Sequence, residues 1–256
     1  MLQNRQKVFR AATIVFMTTD AERASAVAFA RQNCALENIT PSDKALAGVR
    51  NHLEHAISVD EIASSVENPS VADSIFFNTI ALGERGWKTS GDLDELKAIH
   101  RHVFDGVFDD AGIIRTGNTR GKVGRAADPE AFFPANLIET GAANISTELS
   151  DKRNLRSLDR DVFVKELAHI YDELGYLHPF IGGNAITLRI FASRLAHDAG
   201  WDLDWGKIDA QRYKVAKHSA YEGNTSELES MFRSMIRPAN PSRTFLIAGW
   251  EQGPAH

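Results

Sequence analysis

The 256-residue chain has a single cysteine, Cys34. One thiol cannot close an internal disulfide, and it excludes a cysteine-rich zinc site. A chain without disulfides suits a reducing compartment, hence a cytoplasmic location, although export as an effector stays open. Positive net charge is missing as well: 29 Lys and Arg stand against 34 Asp and Glu, a formal charge of −5. That balance argues against nucleic acid and membrane surfaces as general partners, while leaving room for a local basic groove. Long apolar runs are absent too. The longest near the N-terminus, Ala11 to Met17, is broken by Thr13 and is too short to span a bilayer. Arg5, Lys7 and Arg10 give it a faint signal-peptide look, but charged residues follow from Asp20 and no small-x-small cleavage pattern stands out. Residues 1–16 therefore read as an extension ahead of a natural start at Met17.

Strand signals are scarce. The best are Ile113–Thr116 and Lys122–Arg125, set among Gly117, Gly121 and Gly124, which predict a small hairpin or flap. Helical periodicity dominates elsewhere. Phe163, Leu167, Ile170, Leu174 and Leu177 recur at spacings of three and four, as do Leu188, Phe191 and Leu195. Ile75, Thr79 and Leu82 mark another helix, and Leu93, Leu96, Ile99 and Val103 one more. Ser226-x-x-Glu229 resembles a capping box opening a last helix to Ile236, stopped by Pro238 and Pro241. Residues 20–66 predict two or three short helices, over Ala21–Leu36, Ser42–Ala56 and Val59–Val66, with a soft boundary at Glu67–Ser70. The fold class is mostly α with one small hairpin. The expected division is an extension (1–16), a helical segment (17–67), a core (68–237) and a C-terminal tail (238–256).

The chemistry concentrates in Leu177–Arg189, LHPFIGGNAITLR. Pro179 ends one periodic helix, and Gly182-Gly183-Asn184 opens the next. The free amides and partial positive charge of a helix N-terminus form an anion site. His178 stands beside it as a candidate base and Arg189 one and a half turns inside, an arrangement suited to phosphoryl or nucleotidyl transfer.

This segment resembles the signature of the Fic/Doc (Fido) family, His-x-Phe-x-(Asp/Glu)-Gly-Asn-Gly-Arg-x-x-Arg, with His178, Phe180, Gly183, Asn184 and Arg189 in register. Leu96–Thr116 and Ala199–Trp205 resemble the family's flanks, so the likeness covers roughly residues 70–237. The resemblance implies a Fic-type helical core in which His178 takes the proton of a Ser, Thr or Tyr hydroxyl on a target protein. That hydroxyl attacks the α-phosphate of ATP and leaves AMP on the target. Gly182, Gly183, Asn184, Ala185 and Arg189 would hold donor phosphates, and Thr116, Gly117 and Lys122 would belong to the target-docking flap. Three departures stand out. Gly182 replaces the acid that holds magnesium, so the metal is doubtful and no metal ligand is assigned. Ala185 replaces a glycine, and Ile186 replaces an arginine that contacts the phosphates. The donor is therefore ATP or another phosphate-containing molecule; relatives move AMP, other nucleotidyl groups, phosphocholine or phosphate.

Some relatives are restrained by a helix with the pattern (Ser/Thr)-x-x-x-Glu-(Gly/Asn). Asn33–Asn38 matches it at Glu37 and Asn38 and departs at Asn33. Residues 20–66 also resemble the small antitoxin partner of such toxins, and the expected contact is Glu37 with Arg189. The leading expectation is a divergent Fic transferase held off by its N-terminal helix. The alternatives are a catalytically inactive Fic-fold binding or regulatory protein, and a toxin–antitoxin fusion with a decayed core. Self-association into a homo-oligomer stays open. His52, His55, His100 and His102 read as surface histidines, because no further ligands lie nearby. Arg115, Arg120, Lys122 and Arg125 read as a solvated basic run in the flap.

Overall fold

The computed structural model describes residues 19–55, 57–119 and 131–239. The extension 1–16, the second limb of the expected hairpin (Lys122–Arg125) and the tail beyond 239 lie outside these residues. Among the described residues ten α-helices carry the fold: α1 (Asp20–Ala35), α2 (Asp43–His55), α3 (Val59–Ser65), α4 (Val71–Arg85), α5 (Leu93–Phe104), α6 (Ile138–Asp151), α7 (Arg160–Leu177), α8 (Asn184–Asp198), α9 (Ala210–Tyr221) and α10 (Ser226–Met235). No described helix is long and apolar enough to cross a membrane.

The helix at the centre is α8. Every residue from Ile186 to Ala196 is buried, so it is enclosed on all sides. It contacts α5, α7 and the end of α1. Two arginines share this core, and each is paired. Arg194 grips Glu95 of α5 through Nε (2.8 Å) and Nη2 (2.6 Å), and also bonds Asp198 (3.0 Å). Glu95 further accepts from Trp87 Nε1 and from the amides of Ser90 and Gly91. A buried ion pair is tolerable only when its remaining hydrogen-bonding capacity is met in this way.

The three N-terminal helices join the same hydrophobic cluster as the rest. Capping boxes at Thr19/Glu22, Ser58/Glu61 and Ser70/Asp73 open α1, α3 and α4. Asp73 also accepts from the amide of Ser42 (2.7 Å), tying the start of α2 to α4. Burial pushes the Asp73 carboxyl up, but the Ser42 and Ser70 donors outweigh it and its pKa falls. Helix α1 packs along α4, where a Cβ on Gly83 would sit 3.1 Å from that of Ala26.

Three expectations need correction. Ile113–Thr116 is irregular; the strands among the described residues are β1 (Trp201–Leu203) and β2 (Ile236–Pro238), an antiparallel pair closing the ends of α8 and α10. At the last helix the N-cap is Thr225, with no side-chain cap bond, and Ser226 is already helical. Asn224 Oδ1 accepts from the Ser226 amide instead. Finally, His52 and His100 are each 1% exposed, whereas His55 and His102 are at the surface. His52 falls on the buried stripe Ala45–Val49–His52, and His100 on Leu96–His100–Val103. Each meets two hydrogen-bond partners that make its burial tolerable.

Candidate active site

Helix α7 ends at His178, whose backbone is left-handed (φ 44, ψ 61). A non-glycine residue there is strained. Arg115 holds it in place. This arginine is 3% exposed and donates to the carbonyls of His178 (2.7 Å), Leu177 (3.3 Å), Gly117 (3.0 Å) and Phe133 (2.5 Å). Its own amide bonds Pro179 O (2.9 Å). The solvated reading of Arg115 is thus overturned. It is a buried clamp joining Gly117 and Phe133 to the C-terminal carbonyls of α7, whose partial negative charge suits a cation. Thr116 and Gly117 follow it at the surface, while Arg120, Lys122 and Arg125 lie outside the described residues.

Five residues, Pro179–Gly183, separate His178 from α8, and Asn184 brackets them. Its Nδ2 donates to Phe180 O (2.8 Å), and its Oδ1 accepts from Phe180 N (3.0 Å). The Asn184 amide is therefore spent on the loop itself. Gly183 has φ 72, and a Cβ there would lie 2.3 Å from the Phe104 ring. Only glycine fits that position. Gly182 differs: a Cβ there would meet only Phe108 at 3.5 Å. Its carbonyl accepts from His100 Nε2 (3.0 Å), while His100 Nδ1 accepts from Gly112 N (2.8 Å). Those two partners fix one neutral tautomer, and burial lowers the His100 pKa in the same sense. The ring also stacks on Phe180, centroids 3.9 Å apart. His100 thereby positions the loop, a role signalled only by its place on the apolar stripe of α5. Ile186 is buried in the core, and Ala185 lines a cavity beside the start of α8.

Arg189 is fully buried, and its hydrogen-bond partners come from α1 and the turn that follows it. Nε donates to Asn33 Oδ1 (2.5 Å), Nη2 to Asn33 O (3.1 Å) and Nη1 to Glu37 Oε1 (2.6 Å). The guanidinium lies 4.8 Å from the ring centre of Tyr213. Glu37 and Arg189 are thus brought together, with Asn33 supplying two acceptors in place of the expected Ser or Thr. Asn38 sits at φ 56, and Ile39 N bonds Cys34 O (3.0 Å) across it. A left-handed residue ends the turn that follows α1, a position that favours Gly or Asn.

His178 lines two cavities. A narrow one, about 50 Å³, also touches Asn184, Ala185, Leu188, Tyr213 and Lys217. It has room for a water or two. A wider groove, about 570 Å³, shares Lys217 and adds Phe132, Lys214, Val215 and His218. Phe132 lies flat on the imidazole, centroids 3.8 Å apart and planes within 10°. Burial, and then the charges of Arg115 and Lys217, push the His178 pKa down to about 4; a backbone bond at Gly175 acts in the opposite sense. The ring is neutral at pH 7. Sequence reading missed Phe132, Lys217 and Tyr213, since no local pattern marks them.

The magnesium of the family signature does not fit the residues present. Position 182 offers no carboxylate, and among the described residues no group of three or more His, Cys, Asp or Glu could hold a metal.

A family model described as Fic/DOC family matches residues 90–196. The chain is 31% identical over 150 residues to the probable protein adenylyltransferase Fic of Escherichia coli, covering 59% of this chain and 72% of that protein. It is 32% identical over 158 residues to the protein adenylyltransferase VbhT of Bartonella schoenbuchensis, covering 62% of this chain but only 32% of that protein. The fold is similar to that of BepC from Bartonella tribocorum, solved with bound AMPPNP (TM-score 0.58, 21% identity, 71% of this chain and 88% of that one). A Fic domain from Bartonella quintana with bound ADP gives a TM-score of 0.59 at 21% identity, over 73% and 90% of the two chains. The chain belongs to the Fic/DOC family.

Proposed function

We propose that this protein is a divergent Fic transferase moving a phosphate-containing group onto a hydroxyl of a target protein, and that α1 holds it off. Relatives named protein adenylyltransferases make AMP from ATP the first donor to test. The acceptor oxygen would bond to the α-phosphorus as the bond to pyrophosphate breaks. His178 would take the acceptor proton, and pyrophosphate would leave. The observation that carries the reading is the position of His178, which lines both the cavity at the start of α8 and the wide groove. A base between a donor side and an acceptor side is what such a displacement requires. Gly183 would leave its backbone close to the donor, beside Gly182 and Ala185, and Arg189 would meet the terminal phosphate once Glu37 leaves. Asn184 would act on the donor only through the loop it brackets.

Specific observations favour a second reading, an inactive Fic-fold binding protein. Ile186 puts a buried apolar side chain where the signature has a cation, Gly182 supplies no acid, and the donor-side cavity is narrow. Intact-mass measurement separates the two. The Glu37→Gln protein is incubated with ATP, other nucleotides and a phosphocholine donor, with and without magnesium. Gain of one donor-derived group that disappears in Glu37→Gln/His178→Ala supports the transferase; no gain with any donor supports the binder.

A further inference from the structure

We infer that an imidazolium at His52 latches the N-terminal helices to the core, so that rising pH loosens the segment that binds Arg189. The latch stands on its own geometry; its consequence for turnover rests on reading α1 as the restraint on the site. His52 lies in the last turn of α2 and is 1% exposed. Both of its ring nitrogens face acceptors. Nδ1 lies 2.5 Å from the carbonyl oxygen of Ile57, in the turn between α2 and α3, and Nε2 lies 2.6 Å from Oε1 of Glu84 on α4. A carbonyl and a carboxylate only accept, so both nitrogens must carry hydrogen. A neutral imidazole has one N–H and would turn a lone pair on the other oxygen. His100 is the contrasting case, because its two partners are one acceptor and one donor. The charges facing His52 come from α1 and α4. Burial opposes its protonation most strongly, and Arg23 of α1, which also pairs with Asp20, opposes it further. Glu84 and the Ile57 carbonyl together outweigh both, and the pKa rises above its ordinary 6.5.

Helix α2 is tied to α4 at both ends. At its start the Ser42 amide bonds Asp73 (2.7 Å), whose lowered pKa keeps it ionised across the neutral range. At its end the tie is His52 with Glu84, whose side chain is 10% exposed. Helix α1 contacts both α2 and α4, so the latch joins two helices that pack on it. Asn33 of α1, and Glu37 in the turn that follows, hold Arg189. Loss of the His52 proton leaves one buried acceptor without its donor. That acceptor regains a partner only when the end of α2 opens to water. The folded value lies above the unfolded one, so the tie is fully present below about 6.5 and lost as pH rises through the raised value.

The test uses the full chain and reads amide hydrogen exchange from about pH 6 to about pH 9, expressed as protection factors so that the intrinsic rate cancels. We expect protection of α1 and α2 to fall relative to α7, by up to about tenfold per pH unit between about 6.5 and the raised value. The His52 ring should titrate above 6.5 in an NMR experiment over the same range. Glu84→Gln keeps an acceptor but removes the charge, and it should move both transitions to lower pH. His52→Gln should abolish the pH dependence of protection. A ring that titrates at or below 6.5, protection of α1 or α2 that does not fall relative to α7, or an equal fall in His52→Gln would each overturn the proposal. If His52→Gln does not fold, the wild-type titration and Glu84→Gln still decide. Neither measurement involves turnover, so failure of the latch and failure of the transferase reading are told apart.

Discussion

Removing the charge of Glu37 tests the hold of α1 on α8. Arg189 is entirely buried, and of its partners only Glu37 is anionic; Asn33 gives neutral acceptors and Tyr213 a ring face. Breaking a fully buried pair by removing one partner costs about 3–5 kcal/mol, whereas an exposed pair is worth about 0–1. The Glu37 side chain is 32% exposed, so the pair lies between these limits. A hydrogen bond to a charged group, about 1.5–3 kcal/mol, is the fitting scale for Glu37→Ala. Glu37→Gln keeps one acceptor and should lose about 1–2 kcal/mol, or roughly 2–8 °C in Tm for a chain of this size. Differential scanning fluorimetry checks this, and ATP should raise the Tm of the Gln variant more than that of the wild type. Cys34 gives a second readout. Burial, opposed by Arg189, pushes its thiol up to about 12, so iodoacetamide should react slowly with the wild type and faster with the variant. An unchanged Tm, ATP response and alkylation rate would refute the idea that Glu37 secures α1.

Adjacent glycines in the loop should respond in opposite ways. Gly183→Ala meets Phe104 at 2.3 Å from a left-handed backbone and should cost roughly 2–5 kcal/mol in urea unfolding; Gly182→Asp meets only ordinary contact and should fold, with magnesium-dependent ATP binding by calorimetry as its expected gain. Phe132→Ala should raise the His178 pKa in an NMR titration by letting water reach the ring. Two histidines should narrow the pH range of stability from both sides. His178, lowered to about 4, takes a proton more readily unfolded than folded, so its contribution is lost as pH falls from about 6.5 toward 4. Burial would lower His52, but Glu84 and the Ile57 carbonyl outweigh it and raise its pKa; its contribution is present below about 6.5 and lost as pH rises through the raised value. His52→Gln should flatten the alkaline limb of a Tm–pH profile, and His178→Gln the acid limb.

Periodicity carried most of the helical fold, because an amphipathic stripe is a local property of the chain. The helices expected over residues 20–66 match α1, α2 and α3 to within two residues at each end. Local patterns also exposed the loop between α7 and α8, where Pro179 and two glycines interrupt strongly periodic runs. They failed for β1 and β2. Each is three residues long, and they pair across more than thirty residues, so neither carries a legible alternation. The buried histidines were misjudged by residue type, although their helical positions lay on apolar stripes. Arg115 was misjudged by its basic neighbours in sequence; its acceptors are backbone carbonyls from segments far along the chain.

The sequence by itself determined the helices, the glycine-rich loop and its departures, and the lone thiol that rules out a disulfide framework. It supplied the residues of the Glu37–Arg189 pair. Only the tertiary structure decided that Arg189 is wholly buried, that Asn33 shares its contact with Glu37, and that Phe132 lies on His178. Those outcomes depend on which distant side chains meet in a low-dielectric interior. Burial and partner geometry there set charge, access and protonation, and no local pattern encodes them.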